Sequence, residues 1–324
     1  MPTYLVTGAA GFIGHWLAAR LLDVGAQVVG LDNLNDAYDP VIKHWRLAQL
    51  EHRAGFRFAR ADITDRSCLD AEFKRARFDA VFHLAARAGA PQSVAQPDAY
   101  VAANAIGTQH VLDACSAHGV EKLVLASTSS VYGASEHLPL HERGDTGRPR
   151  SPYAASKLSA EALAHAHHHV HGLDVTVLRY FTVYGPAGRP DMSLFRFVRW
   201  IREGQPITLH GDGSQSRDFT YVADIARGTA AAGAATGFEV INLGSNVTVA
   251  LSDALRLIEE CLGRKALIRR AAVPRVDVPA TWADIAKARQ LLGWQPEISL
   301  RAGIEEMVRW YEDNRDWASR LALP

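Results

Sequence analysis

The chain has 324 residues, 48% of them hydrophobic, and its 35 lysines and arginines are balanced by 35 aspartates and glutamates. That length can bury a large core, in one domain with a lobe or in two small domains, and the even charge implies no basic face for nucleic acid. Cys68, Cys115 and Cys261 are few, odd in number and far apart, no apolar run is long enough to span a membrane, and the first strand starts too near Met1 for a signal peptide; a soluble cytoplasmic protein is expected.

The first 32 residues set out a complete place for a dinucleotide. Leu5 and Val6 lie in a short apolar strand, Gly8, Gly11 and Gly14 make a turn and a helix start, and Val28 to Leu31 form a second strand closed by Asp32. Gly8 permits the tight turn, Gly11 removes a side chain where a pyrophosphate must approach backbone, and Gly14 lets helix and strand pack closely. The free amides and dipole of the helix start, which Phe12 and Ile13 open, then face the diphosphate. Asp32 would accept hydrogen bonds from the adenosine ribose, with Asn33 beside it, and a 2'-phosphate would meet that carboxylate with like charge, so the cofactor read here is NAD. The glycine spacing is G-x-x-G-x-x-G and not the commoner G-x-G-x-x-G, and the plain alternative is a glycine turn with no ligand.

A polar connection, Asn33 to Pro40, leads to a helix over Val41–His52 with Ile42, Trp45, Leu47 and Leu50 on its apolar face. The strand Phe56–Ala59 ends before Asp62 and Ile63, which in this position would lie beside the adenine, a carboxylate for its amine and an aliphatic face for its ring. Alternatively, Asp62 merely caps a helix over Ser67–Arg75. Phe78–Ala86 is nearly all apolar, as a parallel strand covered on both faces must be, and Leu84, Ala85 and Ala86 are small enough for a cofactor to lie across them. A long helix is expected over Pro97–His118, with Val101, Ile106, Val111 and Leu112 among its apolar positions. Asn104 within it either braces a catalytic residue or is a satisfied buried amide. Leu123–Ala126 is a fifth strand, running into Ser127 to Gly133. Five alternations of strand and helix mean an α/β fold of Rossmann type, a doubly wound parallel sheet with ligands at the carboxyl ends.

Residues 133–150 read as a loop over that face, and Ser151-Pro152 opens the next helix. Tyr153 and Lys157 stand four apart on one face of it. A nearby ammonium lowers a phenol's pKa, so Tyr153 could serve as a base near neutral pH. Thr128, at the strand end opposite, offers a hydroxyl to hold a substrate oxygen. A chance Tyr and Lys pair on a solvated face is the alternative. His165, His167, His168, His169 and His171 crowd the end of this helix. With no carboxylate or cysteine completing a ligand set, an exposed helix end is expected and no metal site.

TGAAGFIG, HLAA, STSSVYG, YAASK and RYFTVYGP together resemble the extended short-chain dehydrogenase/reductase family, specifically its nucleotide-sugar epimerases, over essentially the whole chain. DNLNDAYDP and RYFTVYGPAGRPDMSLF look most like the UDP-glucuronate 4-epimerases. The resemblance implies NAD held tightly, a UDP-sugar oxidised and re-reduced at carbon 4, and Thr128, Tyr153 and Lys157 as the catalytic set. It places Tyr180 along the cofactor, Ser129 and Thr182 near the sugar, and Arg189 at the sugar carboxylate. Neutral-hexose epimerases generally have Asn where this chain has Thr182. Dehydratases carry Asp-Glu where it has Ser129-Ser130, so dehydration is disfavoured. Arg189 as a loop salt bridge is the bland alternative.

The likeness further implies NAD binding mainly by residues 1–184, with later segments returning to that domain, and a smaller nucleotide-sugar-binding lobe mainly in residues 185–324. In the lobe a helix over Ser193–Glu203 and a strand at Ile207–Leu209 precede Arg217, the implied diphosphate ligand, whose alternative is a structural contact to Asp218 or Asp224. Asp277 lies in the implied nucleotide-closing segment, with Arg269, Arg270 or Arg275 left open as its companion. Asn242 to Gly244, a helix over Leu251–Leu262 and a final helix over Leu300–Tyr311 read as scaffold. The implied assembly is a homodimer through Pro97–His118 and Pro152–His171. Competing readings are UDP-glucuronate decarboxylation, UDP-glucose/galactose epimerisation and a non-catalytic NAD-binding regulator.

Overall fold

The computed structural model describes residues 1–234 and 236–323. Seven parallel strands form the central sheet: β1 (Thr3–Thr7), β2 (Gln27–Asp32), β3 (Phe56–Arg60), β4 (Ala80–His83), β5 (Lys122–Thr128), β6 (Asp174–Tyr180) and the strand Phe238–Leu243. Their spatial order is Phe238–Leu243, β6, β5, β4, β1, β2, β3. The order reverses between β1 and β4, so helices on the two sides leave a crevice above Thr7 and His83. The interior strands are runs of Val, Leu and Ala because both faces are covered, and every residue of β5 is buried.

Helix starts follow from local chemistry. α1 (Phe12–Asp23) begins after Gly11 without a side-chain cap, and α2 (Val41–Glu51) after Pro40. α3 (Arg66–Arg75) is capped by Asp65, whose carboxylate accepts from the amides of Ser67 and Cys68. The cap is therefore Asp65 and not Asp62. Helix Pro152–His171 has Ser151 accepting from the Ala154 amide and ends at left-handed Gly172.

Three expectations change. The fourth strand is only Ala80–His83, because residues 84–89 leave the ladder to line the crevice. The helix foreseen over 97–118 is broken in character: Pro97–Val101 is α-helical, Ala102–Ile106 is one widened π turn around Asn104, and Gly107–Ala117 is α-helical. Val111 and Leu112 are buried as expected, yet Val101 and Ile106 are 46% and 50% exposed. Asn242 and Leu243 are scaffold as expected, and they end the seventh strand of the sheet.

One apolar core lies on each face of the sheet, and a third fills the C-terminal lobe. Val222, Ile225, Ile241, Leu243, Ile285 and Trp294 come from the second half of the chain but join the sheet's core. The lobe's core gathers helices Ser193–Arg202, Leu251–Leu262 and Leu300–Asp313 over the strand Ile207–His210. No helix among the described residues is long and apolar enough to cross a membrane.

Candidate active site

A cleft of about 630 Å³ opens at the carboxyl ends of the strands. Its walls include Gly8, Gly11, Phe12, Ile13, Gly14, Asp32, Asn33, Asp62, Ile63, Leu84, Ala85, Ala86 and Tyr180. Thr128, Ser129, Tyr153, Lys157, Thr182 and Arg189 line the same space. Residues spread from position 8 to 189 thus meet in one cavity.

The glycine turn is built to its limit. Gly8 has φ of 74°, and a Cβ there would stand 2.9 Å from Ala85 Cα on the neighbouring strand end. A Cβ at Gly14 would come 2.1 Å from the Gly8 carbonyl oxygen, so Gly14 admits the turn rather than the strand. Gly11 is constrained by that same oxygen, which its amide donates to at 2.9 Å. The amides of Phe12 and Ile13 have no acceptor among the described residues, and they sit at the positive end of α1. Asp32 is buried and accepts from the amides of Ala10 (3.2 Å) and Leu34 (2.8 Å), which fixes its carboxylate at the end of β2. Asp62 accepts from Asn33 Nδ2 at 2.7 Å and from the Thr64 amide, which lowers its pKa against the opposing effect of burial. Bare amides at a helix start, a side-chain-free turn and a fixed carboxylate one strand over together fit a dinucleotide with an unphosphorylated ribose.

Two cations here escaped the sequence reading. Lys43 Nζ donates to Asn35 Oδ1 at 2.8 Å in the cleft wall, and burial pushes its pKa down while Asp32 opposes. Arg46 is completely buried without a carboxylate. Its guanidinium donates to the carbonyls of Ala10 (3.2 Å), Ala187 (2.7 Å) and Gly188 (3.1 Å) and to the Tyr38 hydroxyl, joining the glycine turn to the loop that carries Arg189. The available signal was spacing, because Arg46 lies four residues from both Ile42 and Leu50 and so falls within the apolar stripe.

The strand ends are locked by buried hydrogen bonds. Thr108 donates to the Asn104 carbonyl, so it accepts from His83 Nε2, and His83 Nδ1 accepts from Thr7, whose oxygen takes the Ala85 amide. His83 is therefore the neutral Nε2–H tautomer, and complete burial drives its pKa down to about 3. Asn104 is a satisfied buried amide: it accepts from the Arg87 amide and donates to the Arg87 carbonyl and to the Ser156 hydroxyl.

Thr128 ends β5 and accepts from the Ser130 amide at 3.1 Å. Tyr153 packs edge-on to Tyr100, and Thr128 lines the cleft beside it. The expected lowering of the phenol's pKa is reversed by the protein's own groups. Burial raises it, and the Thr128 hydroxyl and the Arg189 charge pull it only partly back. Lys157 is 3% exposed, and burial lowers its ammonium to about 8 with the Glu161 carboxylate opposing. Glu161, one turn further along the helix, accepts from Ser127 at the end of β5 and from Arg179 Nη2 at 2.7 Å at the end of β6. Tyr180 donates to Thr229 at 2.8 Å, since the Thr229 hydroxyl donates onward to the Ile225 carbonyl.

Arg189 makes the loop salt bridge of the bland alternative and also lines the cleft. Its Nε and Nη2 hold Asp191 at 3.0 and 2.5 Å, Nη2 also reaches the Ala88 carbonyl, and the side chain still lines the cleft beside Thr182. Arg217 and Asp277 are not among the cleft-lining residues and pair with each other, Arg217 also donating to the Ser216 carbonyl. A structural partner for Arg217 is therefore present, but it is Asp277 and not the Asp218 or Asp224 of the alternative reading. Arg269 and Arg270 are exposed and bonded to Thr208 and the Gly211 carbonyl, and the Arg275 carbonyl accepts from Arg150. Among the described residues no three His, Cys, Asp or Glu side chains gather around a metal-sized space. His165 packs on Phe238 and His168 bonds the Leu173 carbonyl.

Residues 4–244 match the NAD dependent epimerase/dehydratase family. A UDP-glucuronate 4-epimerase of Thermodesulfobacterium geofontis is 49% identical over 97% of each chain. The crystal structure of a UDP-glucuronic acid 4-epimerase from Bacillus cereus in complex with UDP-glucuronic acid and NAD is 37% identical, covering 96% of this chain and 99% of that one with a TM-score of 0.91. A UDP-glucose 4-epimerase from Thermotoga maritima with UDP-glucose is 30% identical, with a TM-score of 0.90 over 97% and 99% of the two chains.

Proposed function

The chain belongs to the NAD-dependent epimerase/dehydratase family, and we propose that it inverts carbon 4 of UDP-glucuronate to give UDP-galacturonate through a transient 4-keto sugar. The observation that carries this reading is a single cleft joining the glycine turn and Asp32 to Thr128, Tyr153 and Lys157, with Thr182 and Arg189 beside them.

NAD would be held by the Phe12 and Ile13 amides, Asp32, Asn33 and Lys157, and when bound it supplies the removal and return of a hydride at carbon 4. Tyr153 takes the proton of the 4-hydroxyl and later gives it back, Thr128 holds the same oxygen, and the Lys157 charge stabilises the phenolate. The planar keto sugar turns over about its diphosphate link, so the returning hydride reaches the opposite face. Binding energy then belongs on the nucleotide, away from the reacting centre. On this reading Arg217 and Asp277 exchange their mutual pair for nucleotide contacts. The acid must survive as a β-keto acid, and Arg189 with Thr182 would hold its carboxylate out of the plane-perpendicular geometry that releases carbon dioxide.

The cofactor is assigned to residues 1–184 and the nucleotide sugar mainly to 185–324. Exposed Val101 and Ile106, on a helix packed against Pro152–His171, support a homodimer through those elements. Three free cysteines support a reducing cytoplasmic setting.

The test is incubation of purified protein with UDP-glucuronate, without added NAD, and identification of the products. UDP-galacturonate is expected. Carbon dioxide and a UDP-pentose would mark a decarboxylase, conversion of UDP-glucose alone a neutral-sugar epimerase, and absence of hydrogen exchange at carbon 4 a non-catalytic binder.

A further inference from the structure

The Arg189 guanidinium is almost fully committed before any sugar arrives. Nε–H and one hydrogen of Nη2 go to the two oxygens of Asp191, at 3.0 and 2.5 Å, and the second hydrogen of Nη2 goes to the Ala88 carbonyl at 3.0 Å. Only the Nη1 amino group is uncommitted among the described residues. Asp191 is 7% exposed and does not line the cleft, whereas Arg189 is 18% exposed and does. The Ala88 carbonyl is fixed in turn by the Tyr100 hydroxyl at 3.2 Å, and Tyr100 packs on Tyr153.

The edge of an arginine that grips a carboxylate with two parallel bonds is thus spent on Asp191, and the charge behind the remaining amino group is offset. Such a wall attracts an acid weakly. Resting on the proposed reaction, that weakness is functional: a sugar that inverts at carbon 4 must let go of this wall, turn over, and bind again. A full ionic clamp would stabilise one of the two orientations and stall the turn, since binding that favours a ground state does not raise turnover.

We propose that Asp191 is a positioning residue that fixes the Arg189 fork and offsets its charge, so that the site accepts an acidic sugar yet releases its carboxylate within each cycle. The test uses the NAD-loaded enzyme and the variants Asp191→Asn and Asp191→Ser, which remove the charge while Ala88 still holds Arg189. For UDP-glucuronate, KM is expected to fall about tenfold and kcat to fall at least as far. NAD content and affinity for UDP alone should be unchanged, and Asp191→Glu should return both constants toward wild type. A purely structural role for Asp191 would raise KM or leave it alone, and either result overturns the proposal, as would failure of both charge-removing variants to fold by circular dichroism. Should the wild-type enzyme not convert UDP-glucuronate at all, the underlying reaction falls as well. Turnover by wild type with no drop in KM in the variants overturns only the role of Asp191.

Discussion

Replacing Lys157 by methionine should make the cofactor-free protein more stable while abolishing turnover. The amine is 3% exposed and no hydrogen bond holds it among the described residues, so burial lowers its pKa from 10.5 to about 8. At about 1.4 kcal/mol for each tenfold, that displacement means the folded state carries the charge at a cost of about 3 kcal/mol. The sign follows from proton counting. Below about pH 8 both folded and unfolded chains bind the proton and the cost is full; between about 8 and 10.5 the unfolded chain binds more protons, so stability rises with pH and the cost is gone above that window. Methionine keeps most of the aliphatic stem, and because the value of about 8 already includes the attraction to Glu161, a net gain of about 3 kcal/mol is expected at pH 7. Urea titration of both proteins at pH 7 and at pH 10.5 measures it. A variant no more stable than wild type at pH 7, or a gain equally large at pH 10.5, would refute the reasoning.

Gly14→Ala places a methyl group 2.1 Å from the Gly8 carbonyl oxygen, and because that neighbour is backbone the turn must open; loss of about 2 kcal/mol and of copurifying NAD is expected from thermal melts and absorbance. Arg46→Met leaves the carbonyls of Ala10, Ala187 and Gly188 without their donor, so a loss of about 3 kcal/mol in denaturant titration is expected. Lysine at that position should not restore it, since one ammonium cannot span those groups. Trp294→Ala empties the site of the largest fully buried side chain, which also donates to the Asp224 carbonyl at 2.8 Å, and about 3–5 kcal/mol should be lost with little change in KM.

The cofactor half of the cleft was legible because its parts are contiguous: strand, glycines, helix start and acid follow one another within Tyr4 to Asp32. Tyr153 and Lys157 were legible for a similar reason, as four residues on a helix fix a shared face. What the sequence hid depends on tertiary partners. Arg217 and Asp277 are 60 positions apart, and nothing local says that each satisfies the other. The π turn at Ala102–Ile106 has no composition signal, and it is this turn that aims Asn104 at Ser156. Burial raises the Tyr153 phenol, an effect hidden in the sequence because sequence names a neighbouring charge but not how much water has been removed around the group. Val101 and Ile106 obey helical periodicity for one stretch of chain and face outward once the helix changes pitch.

Glu161 has a consequence for redesign. Its carboxylate fastens helix Pro152–His171 to the ends of β5 and β6 at once, while Asn104 holds Ser156 on the same helix, so Thr128, Tyr153, Lys157 and Tyr180 share one rigid chassis. The wall made by residues 87–90, Arg189 and Met192 is outside that fastening. Libraries that vary the wall can retune which sugar is admitted without disturbing the chassis, whereas a change at Glu161 would loosen the helix that carries Tyr153 and Lys157 from both strand ends.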